Sequence, residues 1–356
     1  LWEDDVHRRI DASTRFSLTR GQFIRRGLAA AVISLFQLSA AAAADATLNV
    51  YSIWPENWAR PMLQEFEAAS GIKVNFLRFS SGEALARIIA EKNNPRVDVL
   101  FGGPVETFAA GIKENVFEAY KPPAAAALPA RFKNADGLWT AIADDPLVFM
   151  TNAKFLAENK LSAPASWDDL LNPAYKGLLQ MADARTSGTA VTRIFSVLEV
   201  NGRDEEKAFA YLKKLRANVQ LYTKSGGGGT LPVGIGQAAG GIFFIVDALD
   251  TKAKGYDVVI SFPKEGIGTA AEGIALLKGA KNPEAAKKLI DWATSPAMQS
   301  LYAKHKINFV PAHPQVQTEA SLAAILKGAK IFAIDDAYAG ANRKRIVERW
   351  VNEILP

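Results

Sequence analysis

From residue 47 onward, short apolar runs rich in β-formers alternate with amphipathic helical patterns, and this alternation constrains the fold more than any other feature of the chain. "TLNVYSI" reads as a buried strand, "ENWARPMLQEFEAAS" as a helix, "IKVNFLRF" as a strand, "EALARIIAEKN" as a helix and "VDVLF" as a strand. Leu85, Ile88 and Ile89 share one face of the second helix. Pro61 stands inside the first, which predicts a later start or a kink. A second alternating block opens with "LVFMTN" at 147–152. It continues through "GLLQMAD", a helix from Thr189, "VQLYT", a helix near Gln237 and "GIFFIVD". Beyond "DVVISFPKEG" the pattern turns helical. Alternation around buried strands predicts an α/β fold with mostly parallel sheets flanked by helices. The 356 residues are enough for two such units. Two lobes joined by crossing strands are expected, one from 45–143 plus 270–356 and the other from 144–269, with a helical C-terminal segment.

The first 44 residues read as an address. Arg20, Arg25 and Arg26 form a basic region, Gly27 to Leu38 a short apolar stretch, and Ser39 to Ala44 a run of small residues that signal peptidase accepts. Cleavage is expected between Ala42 and Ala46, which places the mature protein in the periplasm. "TRGQFI" resembles a twin-arginine signal except that Gly21 replaces the second arginine, so the Sec route stays open. Removing residues 1–44 takes away six basic and four acidic side chains and lowers the formal net charge from +5 to +3. That excess is too small and too scattered for nucleic acid. The densest basic stretch, "NRKRIVERW", reads as the solvated face of a helix.

Little in the sequence supports catalysis. There are no cysteines, which excludes disulfides, thiolate metal sites and a thiol nucleophile. After export only His305 and His313 remain, and both read as surface or capping residues rather than general bases or metal ligands. Asp144-Asp145, before Pro146, reads as a turn. No catalytic residue, metal site or cofactor is expected.

Three segments place a small polar residue and glycine between a strand and a helix. Ser80 to Glu83 fits a capping box containing Ser81 and Gly82. Gly102-Gly103 precede Pro104, which suits a first helical turn. Ser187-Gly188-Thr189 open the third helix. Each could be routine capping, or all three could form one anion site, since free N–H groups and the helix dipole favour a negative group there. The run at Gly226–Gly229 could be a fourth wall, or a flexible loop. Trp54, Trp58 and Trp139 could give an apolar wall or simple core packing.

The export signal, "IKVNFLRFSSGEALARIIAEKNNPRVDVLFGG", "TSGTA", "GQAAGGIFFIVDA" and "EGIALLKGAKNPEAAKKLIDWATSPAMQ" together resemble the extracellular solute-binding proteins of ABC importers. The likeness is to the cluster of ferric-ion-binding proteins and their organic-phosphate-binding relatives. It implies two α/β lobes that close on a ligand, and as partners an inner-membrane permease with its ATPase; the protein is expected to be a monomer. The iron-binding tyrosine pair corresponds to Val246-Asp247 here, preceded by Phe243-Phe244, and a hard Fe³⁺ finds no phenolate among them. Sugar-phosphate-binding relatives place a His-Asp pair at Val246-Asp247, so the Asp is kept and the His is lost. Their later glutamate falls near Ala270, and this chain offers Glu272. The expected ligand set is Trp54, Ser80, Ser81, Gly103, Ser187, Gly188, Thr189, Asp247 and Glu272, around a small phosphorylated or phosphonate-type anion. Ferric iron, a polyamine or another small solute is the alternative within this fold. A secreted phosphoester hydrolase is the alternative outside it.

Overall fold

The first apolar run forms strand β1 (Thr47–Ser52), which pairs in parallel with β2 (Lys73–Arg78) on one side and β3 (Val99–Pro104) on the other. The structure, a computed structural model, describes residues 47–355. The export segment and its cleavage site therefore lie outside the described residues.

The helix after β1 spans Glu56–Ser70 with Pro61 inside it, so it starts no later than the pattern suggested. The carbonyl that Pro61 leaves without an N–H partner belongs to Asn57, which is exposed to water. The next helix begins at Ser81 behind the expected Ser80–Glu83 capping box, in which the Ser80 N–H donates to Glu83 Oε2 at 3.4 Å.

After a two-residue strand, β4 (Phe117–Glu118), comes β5 (Thr140–Asn152), buried along its whole length. The second block supplies β6 (Leu179–Ala182), β7 (Val219–Thr223), β8 (Gly240–Phe244) and β9 (Val258–Ser261). The chain then returns through β10 (Ile267–Leu277), with β11 (Val310–Pro311) and β12 (Ile331–Ala333) as short additions. The main order is β2-β1-β3-β10-β5-β8-β6-β7. Pairs within the outer strands, β1–β2, β1–β3, β6–β7 and β6–β8, are parallel. Every antiparallel pair involves β5 or β10, the two long strands that carry the chain between the halves of the sheet.

Several expectations need correction. Asp144-Asp145 are not turn residues: they lie in the middle of β5, opposite Ala271 and Ala270 of β10. The burial of Asp144 is made tolerable by partners, since Arg131 Nη2 donates to its Oδ2 at 2.7 Å and Thr269 Oγ1 to its Oδ1 at 2.8 Å. Residues Gly226–Gly229 form a 3₁₀ turn, and the short helix there, Thr230–Gly234, ends before Gln237. His313 is buried rather than on the surface, and its Nδ1 accepts the Gln315 N–H at 3.3 Å. His305 is half-buried against Glu65 at 2.8 Å. In the last helix, Asp336–Glu353, Lys344, Arg345 and Glu348 face solvent as expected, whereas Ile346 and Trp350 are core and the Arg343 guanidinium turns inward toward Glu106. No helix among the described residues is long and apolar enough to cross a membrane.

Candidate functional site

Strands β1, β2, β3, β6, β7 and β8 all end at one cleft, the usual place for a ligand in an open α/β sheet. The cavity there has a volume of about 50 Å³. All nine residues singled out in the sequence line it, although they are spread from Trp54 to Glu272.

One wall is built by the segments after β1, β2 and β3. Gly102 and Gly103 have φ of +74° and +89°, a region open to glycine at no steric cost. A side chain at Gly102 would run into the Trp54 indole and one at Gly103 into Ile53. This close approach lets the Gly103 N–H donate to Glu272 Oε2 at 2.6 Å. Trp54 Nε1 donates to the same oxygen at 2.7 Å, while its ring stacks on Phe309 at 4.4 Å. Trp58 also lines the cavity; Trp139 packs in a separate part of the core.

The facing wall carries the start of the Gly188–Val200 helix. Ser187 holds its N-cap position, but its hydroxyl makes no bond to the helix. Ser81, Ser187 and Thr189 are largely buried residues that line the cleft, and among the described residues none of their hydroxyls has a protein hydrogen-bond partner. They open on the cavity and are free to bond whatever enters it. The two helix starts meet closely: the Gly82 N–H donates to the Thr186 carbonyl at 2.8 Å, and a side chain at Gly188 would press on Ser81 Oγ at 2.7 Å. Lys224 Nζ reaches Glu83 Oε1 at 2.6 Å across the same gap.

The glycine run is a wall of the cleft. A Cβ at Gly226 would collide with Thr189 Oγ1, and one at Gly227 with Asp247 Oδ1. Asp247 lies in the first turn of the Ile245–Ala253 helix, directly after β8.

Two charged lining residues were not among the nine singled out in the sequence. Arg78 ends β2 as an exposed edge residue, yet its Nη1 donates to Ser80 Oγ at 3.3 Å inside the cleft. Although the residue as a whole is exposed, desolvation of the guanidinium at the cleft lowers its pKa from the ordinary value, opposed by the charges of Asp247 and Glu83. Asp145 faces the cavity from β5 and accepts the Val246 N–H at 3.4 Å. No local signal marks Arg78. For Asp145, the clue was an acid beside β-forming residues, misread because of the adjacent proline.

Three carboxyl groups therefore face one guanidinium. Burial raises Asp247 from 3.8 to about 7, with Asp250 adding to the shift and Arg78 opposing it. Glu272 rises from 4.5 to about 7 through burial, moderated by its bonds from Trp54 and Gly103. Burial beside Glu272 and Asp247 pushes Asp145 well above the ordinary carboxylate range. At neutral pH these groups can both donate and accept hydrogen bonds. Neither His305 nor His313 lines the cavity, and among the described residues no three His, Asp or Glu side chains are placed to hold a metal ion together. The site thus offers hydroxyls and helix starts to anionic oxygens, and carboxyl groups to hydroxyl or ammonium donors.

Residues 61–328 match the family described as bacterial extracellular solute-binding protein. An uncharacterised protein of Haemophilus influenzae is 32% identical over 89% of this chain and 93% of its own length. A putative 2-aminoethylphosphonate-binding periplasmic protein of Salmonella typhimurium is 28% identical over 76% of this chain and 80% of its own. Among solved structures, the periplasmic binding protein AfuA of Actinobacillus pleuropneumoniae, with fructose-6-phosphate bound, superposes with a TM-score of 0.82 at 31% identity, covering 87% of this chain and 98% of that one. Ferric-ion-binding proteins are among the more distant matches.

Proposed function

The chain belongs to the bacterial extracellular solute-binding proteins, and from that premise we propose that it captures a small organic phosphate or phosphonate and delivers it to an ABC permease in the inner membrane. Residues 45–143 with 270–356 and residues 144–269 act as two lobes that close on the ligand. The N-terminal 44 residues direct export and are removed, and the mature protein works as a monomer in the periplasm.

The observation that carries this reading is the convergence of unpartnered hydroxyls from both walls. Ser81 comes from one helix start, and Ser187 and Thr189 from the facing one, with the Arg78 guanidinium beside them. Four donors on one small volume suit a tetrahedral group with three acceptor oxygens. Asp247, Asp145 and Glu272 hold the other end of the ligand through hydroxyl or ammonium donors. The relative named for an aminophosphonate and the one solved with a sugar phosphate bound support this reading, since both molecules pair an anionic group with hydroxyl or ammonium donors.

The three carboxyl groups also support a second reading, a cationic ligand such as a polyamine, but the helix starts would oppose it. Catalysis is not part of the proposal; among the described residues that line the cleft, no hydrogen bond joins a carboxyl group to a serine or threonine hydroxyl as a nucleophile–base pair would. A thermal-shift screen with sugar phosphates, glycerol phosphate, 2-aminoethylphosphonate, polyamines and free sugars tests it. A phosphorylated or phosphonate compound should raise Tm and be recovered unchanged. A rise with polyamines alone contradicts the proposal, and so does turnover of the ester.

A further inference from the structure

Arg193 carries a cost that packing does not explain. It is the sixth residue of the Gly188–Val200 helix, one turn beyond Thr189, and is 2% exposed. Its Nη2 donates to the Ala182 carbonyl at 3.2 Å, and its Nε is buried with no partner. Among the described residues no carboxylate forms an ion pair with it. Asp183 attracts it, but that carboxylate is already held by Arg185 at 2.6 Å. Tyr211 and Tyr222 complete its charged and titratable surroundings. An unpaired buried guanidinium is strongly unfavourable, and an apolar residue of similar size would be expected to serve the core better.

Its position gives the cation a use. Ala182 ends β6, the strand that feeds the Asp183–Ser187 loop, so the guanidinium bonds to the base of that loop. Four residues of helix advance about 6 Å, and helical side chains lean back toward the N-terminus. The charge therefore sits behind Ser187-Gly188-Thr189 and adds to the positive end of the helix. In a buried setting it is screened little by salt or water.

We propose that Arg193 is a positioning residue for the anion. It never touches the ligand, but it raises the positive potential of the Ser187–Thr189 helix start and so favours a doubly charged group over a singly charged or neutral one. This rests on the reading that the helix start holds a phosphate or phosphonate.

The test uses methylphosphonate as the probe, measured by calorimetric titration of the full mature protein and of two variants. Arg193→Gln keeps a donor for the Ala182 carbonyl and removes the charge; Arg193→Lys keeps both donor and charge. Arg193→Gln should weaken binding about tenfold at about pH 8.5, where the probe is a dianion, and clearly less at about pH 6. Comparing variant with parent at each pH cancels the titration of Asp247 and Glu272. Arg193→Lys should stay within about threefold of the parent. The ligand-free Tm of Arg193→Gln should equal or exceed that of the parent, because an unpaired buried charge has gone. A merely structural clamp gives the reverse: Tm falls with affinity, and Lys does not rescue. Unchanged affinity in Arg193→Gln removes this inference alone. Failure of the parent protein to bind methylphosphonate removes the phosphonate reading and this inference with it.

Discussion

Trp54 and Glu272 stand 218 residues apart in sequence and share a 2.7 Å hydrogen bond at the cleft, with the indole N–H as donor. The bond ties the turn after β1 to the long crossing strand β10. The Gly103 N–H donates to the same carboxyl oxygen at 2.6 Å, so three separate segments are fixed at one atom.

The pH dependence of stability follows from that carboxyl group and its neighbours. Glu272, Asp247 and Asp336 are raised to about 7, and Glu106 to about 8, each chiefly by burial. A carboxyl group raised on folding binds more protons in the native state than in the unfolded one. Its stabilising contribution is full below the unfolded value and is lost as pH rises through the folded value. The ligand-free Tm should therefore climb by several degrees as pH falls from about 8 to about 5. Glu272→Gln should flatten part of that slope. A Tm that instead rises from pH 5 to pH 8 contradicts the assignment of these groups as buried acids.

The hydroxyls of the facing wall separate recognition from capping. Thr189→Ala should cost about 1–3 kcal/mol in affinity for the phosphate-type ligand, the range for hydrogen bonds to charged groups. Ser187→Ala should leave Tm nearly unchanged, because its hydroxyl makes no capping bond. If it did cap the helix, the loss would be about 1 kcal/mol of stability. Calorimetric titration and thermal melts of the two variants check both statements. A lowered Tm with intact affinity would mean that these residues only begin a helix.

The glycine run should tolerate nothing larger. Gly226→Ala and Gly227→Ala push a methyl group into Thr189 Oγ1 and Asp247 Oδ1, respectively. Each should cost about 1–3 kcal/mol of stability through overpacking, and ligand affinity should fall as well. Melts and titrations with wild-type affinity for either variant would show that the run does not wall the cleft.

Much of this was legible in the sequence, and the reasons for the rest are specific. The apolar runs of β1, β3 and β8 identified themselves by composition, and the Ser-Gly segments by their place between strand and helix. Such signals are local. Asp144-Asp145 were misread because the partners of Asp144, Arg131 and Thr269, lie 13 and 125 residues away and that of Asp145, the Val246 N–H, 101 away, and a proline next to paired acids looks like a turn. Arg78 looks like an ordinary edge-strand cation until Ser80 and Asp247 are seen beside it. The glycine run became informative only when Thr189 and Asp247 were placed against it.

Ferric iron should bind weakly. On the resemblance to ferric-ion-binding proteins the phenolates would fall at Val246 and Asp247, and the aromatic pair before them, Phe243 and Phe244, has no oxygen to offer. Titration with ferric citrate should give no tyrosinate charge-transfer band. A strong visible band would overturn the carboxyl-and-hydroxyl reading of the cleft.

The most direct test of the central claim is paired calorimetry on the mature protein, comparing each phosphorylated or phosphonate compound with the counterpart that lacks that group: fructose phosphate with fructose, glycerol phosphate with glycerol, aminoethylphosphonate with ethylamine. At least one phosphorylated or phosphonate member should bind with a micromolar or lower Kd, about −8 kcal/mol or better, while its counterpart shows no measurable heat. Equal binding of both members of a pair, or binding of the phosphate-free members only, would contradict the account.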